Sequence, residues 1–502
     1  MADYLVIGSG SGGAAVTRRL VDAGAEVCLI EAGPAGWDAP ELADPTAWVR
    51  LAKGRYDWGH DYAPTPAVLD RVIPIPRGRV LGGSSATNAM MWYRGAPADY
   101  DSWGEGWGFA DCLPAFRASE DWQGGASALR GVGGPLKISR SADPHPLALA
   151  MIAGAAEMGI PVIDDPNGPD NHGAALANLN IAGGRRWTAA DGYLRPILSA
   201  PNLTLCLESR VLEVLFAGDR ACGVAHLVGG QRVETMASRG VILCAGAIET
   251  PRLLTLSGIA EEAELRRLSL PCRVAARGVG QNLQDHPLLR ALNFRAKRPM
   301  GPTRDNGGGA ILNWKSDPAL AAPDLHAFPI QNRSGVPAII DHYRLSGDLF
   351  AMGAGLMRSY SRGYLRVMTA EPDGPLEIQP NFLADPRDLP PLMRAVRDMM
   401  DLAETPAFDD LFEGFAAPDR RLNDADLETF VRRACSTFFH TCGTARMGSD
   451  PDAVTNLRLA VHGVRGLWVA DASVIPTIPT CNTHAPVTMI GERAAGFILE
   501  DS

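Results

Sequence analysis

The chain has 502 residues, 46% hydrophobic and 21% charged, a length that outgrows one hydrophobic core and predicts two domains of ordinary globular composition. Its 47 Lys+Arg against 57 Asp+Glu give a net charge of -10, with no basic stripe interleaved with aromatics, so no nucleic-acid partner is expected. No apolar run reaches membrane-spanning length and the first strand follows without a leader, which predicts no membrane insertion and a cytoplasmic location, while nine scattered cysteines read as reduced thiols.

In chain order, the first signal is DYLVIGSGSGGAAVTRRLVDAGAEVCLIEAG, residues 3–33. Its periodicity predicts a strand over 3–8, a helix from Gly12 to Ala23 and a second strand over 26–31. Gly8, Gly10 and Gly13 form GxGxxG between them: the first for a tight turn, the second for close approach of a pyrophosphate, the third for close helix–strand packing. Ser11 stands just before that helix, whose N-terminal free N–H groups and dipole favour phosphate. Glu31 ends the second strand, where an acid accepts hydrogen bonds from ribose hydroxyls and argues against a 2′-phosphate. The pattern predicts a dinucleotide and leaves NAD and FAD open.

IPRGRVLGGSSATNAMMWYRGAPADYDSW, residues 75–103, follows. Gly82 and Gly83 allow the backbone to press against a flat ring, Ser84, Ser85 and Asn88 offer polar contacts, and Met91 begins an apolar cluster; a plain surface loop is the alternative reading. Residues 203–247 read as successive strands with glycine turns. Residues 301–336, rich in Gly, Asn and Pro, read as a lid or a long loop, GYLRVMTA as a strand, and PPLMRAVRDMMDLAE as a helix. FFHTCGTARMG (438–448) and VADASVIPTIPTCNTHAP (469–486) place His440 and His484 among small residues, and APVTMIGERAAGFILE has a helical apolar period.

These landmarks, with GAIETPRLLTLSGI (246–259) and GVGQNLQDHP (278–287), resemble the glucose-methanol-choline (GMC) oxidoreductase family over nearly the whole chain. Thr87, Ala260 and Ala445 depart from the usual pattern. The resemblance implies an α/β fold in which a Rossmann-like FAD-binding domain (1–145, 200–290, 430–502) interleaves with a substrate domain on an antiparallel sheet (146–199, 291–429). It implies FAD, held without a covalent bond because threonine at 87 cannot form the histidyl link of some choline oxidases. Val211 is expected to touch the adenine through its backbone, and Asp471 and Ala472 to lie near the ribityl chain and pyrophosphate, with an ordinary turn cap as the plainer role for Asp471.

The implied activity is oxidation of a primary alcohol, of aryl or furan type and neutral, by hydride transfer to flavin N5, with oxygen or a quinone-like acceptor reoxidising the flavin. Imidazole is neutral near pH 7 and suits the proton-accepting role. His440 is expected to be the base and His484, the partner position, to hold the substrate oxygen, with the following helix N-terminus directed at the flavin. His286 and His462 are expected to be structural. Three other readings compete: a hydroxynitrile lyase on the same fold, a choline-type dehydrogenase, and a structural zinc site from His440, Cys442, Cys481 and His484. The last is set aside because HxC is too tight, so no metal is expected.

Overall fold

The computed structural model describes residues 1–501. Its opening is a strand–helix–strand unit: β1 (Ala2–Ile7), α1 (Ser11–Asp22) and β2 (Val27–Ile30), each within a residue or so of the periodicity-based bounds. β1 and β2 are buried on both faces, so they carry near-continuous apolar runs rather than alternation.

Two seven-stranded sheets organise the rest. In the first, Leu203–Cys206, β2, β1, the second half of Gln231–Leu243 and Leu467–Val469 run parallel. The first half of Gln231–Leu243 turns into an antiparallel meander with Arg220–Val228 and Val211–Ala217. β1 is thereby locked between a strand close to it in sequence and one far from it, with Ile7 beside Ile30 on one side and Leu243 on the other. The second sheet is antiparallel, in the order Phe412–Ala417, Pro287–Ala296, Leu349–Leu356, Leu325–Ile330, Ala310–Trp314, Gly173–Leu176, with Cys435–Thr437 also on Pro287–Ala296. Each sheet has its own apolar core, around Val6, Leu29 and Ile242 in one and Phe294, Phe350 and Met399 in the other. Each such buried side chain contributes about 1.5–3 kcal/mol.

One reading needs correction. Residues 301–336 are not a lid or a long loop: they contain Ala310–Trp314 and Leu325–Ile330, two largely buried strands paired with each other inside the second sheet. Glycine, asparagine and proline around short β-branched and aromatic runs mark turns at the strand ends, and sheet pairing overrides the loop-like average.

The C-terminal helix His484–Glu500 packs along α1. The C-terminal helix uses a missing Cβ for this approach, since a Cβ on Gly491 would stand 2.5 Å from the Gly12 carbonyl oxygen, while one on Gly12 would stand 2.1 Å from the carbonyl oxygen of Ala470, just after the strand Leu467–Val469. Arg19 Nε donates to Glu492 Oε2 at 2.6 Å across the same seam. This packing brings the N-termini of both helices to one cavity.

Candidate active site

A cavity of ≈ 600 Å³ runs from the GxGxxG turn to the strand Pro287–Ala296. At one end it is lined by Gly8, Ser9, Gly10, Ser11 and Glu31. Gly8 has φ +98°, a conformation that favours glycine, and an added Cβ would meet the Cys244 carbonyl oxygen at 2.5 Å. Gly10 has nothing within 4 Å of its Cβ position, so its backbone faces open cavity. Gly13 lies outside the lining and against the turn, with its Cβ position 1.9 Å from the Gly8 carbonyl oxygen.

Glu31 is buried, and its carboxylate accepts from Ser9 Oγ (2.6 Å), Ser9 N (3.0 Å) and Gly33 N (2.9 Å). Burial raises its pKa and these donors oppose the rise. Ser9 Oγ also accepts from Gly82 N at 3.0 Å, tying the first glycine loop to the second. Gly83, with φ +53°, approaches Gly10 so closely that a Cβ would stand 2.9 Å from its Cα. Gly83, Ser84, Asn88, Met91, Val211, Asp471 and Ala472 all line the cavity, whereas Gly82 lies behind it. Asp471 accepts from Gly246 N (2.8 Å), Thr250 Oγ1 (2.6 Å) and Ser473 N (2.8 Å), so it caps two chain segments while lining the site. Backbone open to the cavity, a buried acid and two converging helix N-termini fit a dinucleotide cofactor.

At the other end stands His440, 6% exposed. Asp285 positions it by accepting from the His440 backbone N at 2.9 Å while also holding Tyr62 OH at 2.7 Å and the Thr437 hydroxyl. Arg77 holds the Phe439 carbonyl, and Phe439 itself has φ +66°. The Phe438 ring stacks on the imidazole at 5.3 Å. Asn482 Nδ2 donates to Nε2 of His440 at 3.1 Å, and His286 Nδ1 lies 2.9 Å from its Nδ1. With a donor at Nε2, that nitrogen presents a lone pair, and the proton sits on Nδ1, donated to His286.

The expected pairing of His440 with His484 is therefore revised. His484 lines the cavity, but its Nδ1 bonds Ser11 Oγ at 2.7 Å and its ring meets Trp92 edge-on at 5.2 Å. Asn482, two residues earlier, is the side chain at His440. The physical reason is the helix boundary: His484 is the first residue of the C-terminal helix and follows its axis, while Asn482 lies in the preceding turn. His286, read as structural, touches His440 directly. His440, Cys442, Cys481 and His484 do not converge, and among the described residues no cluster of three or more His, Cys, Asp or Glu side chains is placed to hold a metal ion.

Burial, followed by His286 and Arg77, holds the His440 pKa well below its ordinary value. Burial, followed by His326, pushes His286 down to about 3, and burial followed by Arg186 pushes His484 down to about 4. All three imidazoles are neutral at pH 7, as proton acceptance requires.

Family models described as GMC oxidoreductase match residues 2–288 and 359–491. Mitochondrial choline dehydrogenase of Mus musculus is 35% identical over 99% of this chain and 89% of its own length. Oxygen-dependent choline dehydrogenase of Brucella melitensis is 34% identical over 99% and 95%. The crystal structure of pyridoxine 4-oxidase from Mesorbium loti superposes with a TM-score of 0.94 at 31% identity, covering 99% of both chains. Among the described residues no helix is long and apolar enough to cross a membrane.

Proposed function

This chain belongs to the GMC oxidoreductase family, an FAD enzyme family acting on CH–OH donors, and on that premise we propose that it oxidises a primary alcohol carried on a flat aryl or furan-type body to the aldehyde. His440 Nε2 takes the hydroxyl proton. Asn482 holds the same oxygen, and oxygen or a quinone-like compound is the final acceptor.

The observation that carries this reading is the pair of contacts on the His440 ring. Asn482 occupies Nε2 as a donor, so a substrate hydroxyl replaces or shares that contact and meets a lone pair. His286 Nδ1 accepts the hydrogen bond from His440 Nδ1–H and so keeps the ring in that tautomer, acting as a positioning residue. When Nε2 gains the proton, His286 remains hydrogen-bonded to the imidazolium and stabilises it. Asn482 then has an N–H to direct at the oxygen as charge develops. FAD, when bound, supplies the two-electron acceptor for the hydride that leaves the carbinol carbon. Gly8, Gly10, Ser11, Glu31, Gly83, Asp471 and Ala472 are the residues that would hold it. Thr87, which lines the cavity, offers no imidazole for a covalent link, so denaturation is expected to release the flavin.

One relative is named for choline and another for pyridoxine. Leu288, Phe328, Ile330 and Phe438 wall the reaction end, which supports a flat apolar body over trimethylammonium. The test is anaerobic: the purified flavoprotein is mixed with benzyl alcohol, furfuryl alcohol, choline and a secondary alcohol while the flavin band is followed. Bleaching by the aromatic primary alcohols is expected. Faster bleaching by choline would replace the aryl reading with the choline one, and cyanohydrin cleavage without bleaching by any alcohol would replace both with the lyase reading.

A further inference from the structure

The strand Pro287–Ala296 begins immediately after His286, and strand alternation carries Leu288 and Arg290 toward the cavity, which both line. Arg290 thus stands two same-side steps from the residue that touches His440, about 13 Å along the strand. Leu288, Phe328, Ile330 and Phe438 are the apolar lining of that end.

Arg290 is half-buried at the cavity wall and lacks the protein partner that the chain's buried arginines, such as Arg94 and Arg130, have. Burial lowers its pKa with no carboxylate acting against it. Among the described residues, its guanidinium has neither an ion pair nor a hydrogen bond, in contrast to Arg77, another cation lining the cavity, which holds the Phe439 carbonyl. The carboxylates that do line the cavity are held elsewhere: Glu31 by Ser9 and Gly33, Asp471 by Gly246, Thr250 and Ser473, Glu249 by Arg252 and His60, Asp57 by the Lys53 and Arg77 backbone. A half-buried cation that faces the cavity and has no protein partner is free to pair with an anion that arrives with the ligand. The planar fork suits carboxylate or phosphate oxygens.

We propose that the alcohol oxidised here carries an anionic group, bound by Arg290, with its carbinol at His440 and a ring-sized apolar body between them. This rests on the reading of His440 as the reacting end, and it replaces the expectation of a neutral substrate. The same arginine repels trimethylammonium, so it turns the pocket away from choline.

The test compares holoprotein with Arg290→Gln and Arg290→Lys, using four probes: 4-(hydroxymethyl)benzoate, 4-(hydroxymethyl)phenyl phosphate, benzyl alcohol and choline. Flavin content and the flavin spectrum of each variant report folding independently of turnover. In the unaltered protein, at least one anionic probe is expected to reduce the flavin with a kcat/KM about 10- to 100-fold above benzyl alcohol, the size of a charge-assisted hydrogen bond in a buried site. That ratio falls toward one in Arg290→Gln and is partly kept in Arg290→Lys. Which anionic probe is preferred distinguishes a carboxylate-bearing from a phosphate-bearing substrate. Calorimetric titration with benzoate, which has no carbinol, is expected to show binding that Arg290→Gln removes. If benzoate binds through Arg290 while no alcohol bleaches the flavin, the anion site stands and the oxidation reading fails. A benzyl alcohol rate equal to or above both anionic probes, or a preference that survives Arg290→Gln, overturns the proposal.

Discussion

The two ends of the cavity are built by different means. The dinucleotide end is mostly backbone: Gly8 and Gly10, the start of α1, and an acid already fixed by Ser9 and Gly33. The reaction end is mostly side chains, His440, His286, Asn482, Phe438 and Arg290, brought together from positions as far apart as 286 and 482. A backbone site tolerates almost no change of shape, whereas a side-chain site tolerates loss of a group and pays only in rate.

The largest effect belongs to the first end. Gly13→Ala puts a Cβ 1.9 Å from the Gly8 carbonyl oxygen, a backbone atom that cannot step aside without opening the turn. Purified Gly13→Ala is expected to carry little or no flavin by absorbance. Full flavin stoichiometry would show that the close packing is dispensable and break the contrast at its stronger side.

At the second end, His440→Ala is expected to keep its flavin and reduce it about 10²- to 10⁴-fold more slowly, as when a general base is removed. An unchanged rate sinks the assignment of the base. Asn482→Ala comes next, with a loss of about 10²- to 10³-fold in the rate of flavin reduction, the usual size for one donor to a developing oxyanion. His484→Gln sharpens this: its imidazole bonds Ser11, not His440, so its loss is expected to be smaller than that of Asn482→Ala. The reverse ranking would return the oxygen-holding role to His484.

The contrast also explains what the sequence made legible. Backbone sites leave local, fixed spacings, so the strand, the glycine turn, α1 and Glu31 stand within 31 residues and could be read directly. His440 was legible because a family landmark surrounds it. Its partner was not, because Asn482 and His484 are both hydrogen-bonding residues in one short turn, and only the start of the helix at His484 decides which one faces His440. Arg290 leaves no trace at all: a cation in a strand looks like any exposed arginine until the strand is seen to border the cavity with no carboxylate beside it. The strands within 301–336 were hidden by averaging over their glycine and proline turns.

The smallest effect is in the pH dependence, and its sign follows from the surroundings of His440. The base works only when unprotonated, so activity is present above its pKa and lost as pH falls through it. Burial lowers that pKa well below 6.5, and the nearby His286 and Arg77 lower it further. The profile of kcat/KM is therefore expected to stay level from neutral pH down through 6.5 and to fall only in more acidic solution. Asp285, facing the same segment through the His440 backbone N–H, has its own pKa raised by burial, so its protonation also loosens the segment as the solution is acidified and steepens the fall. A fall centred at or above 6.5 would mean that His440 sits in water-like surroundings when the enzyme works, and that the reaction end is far more open than its buried histidines imply.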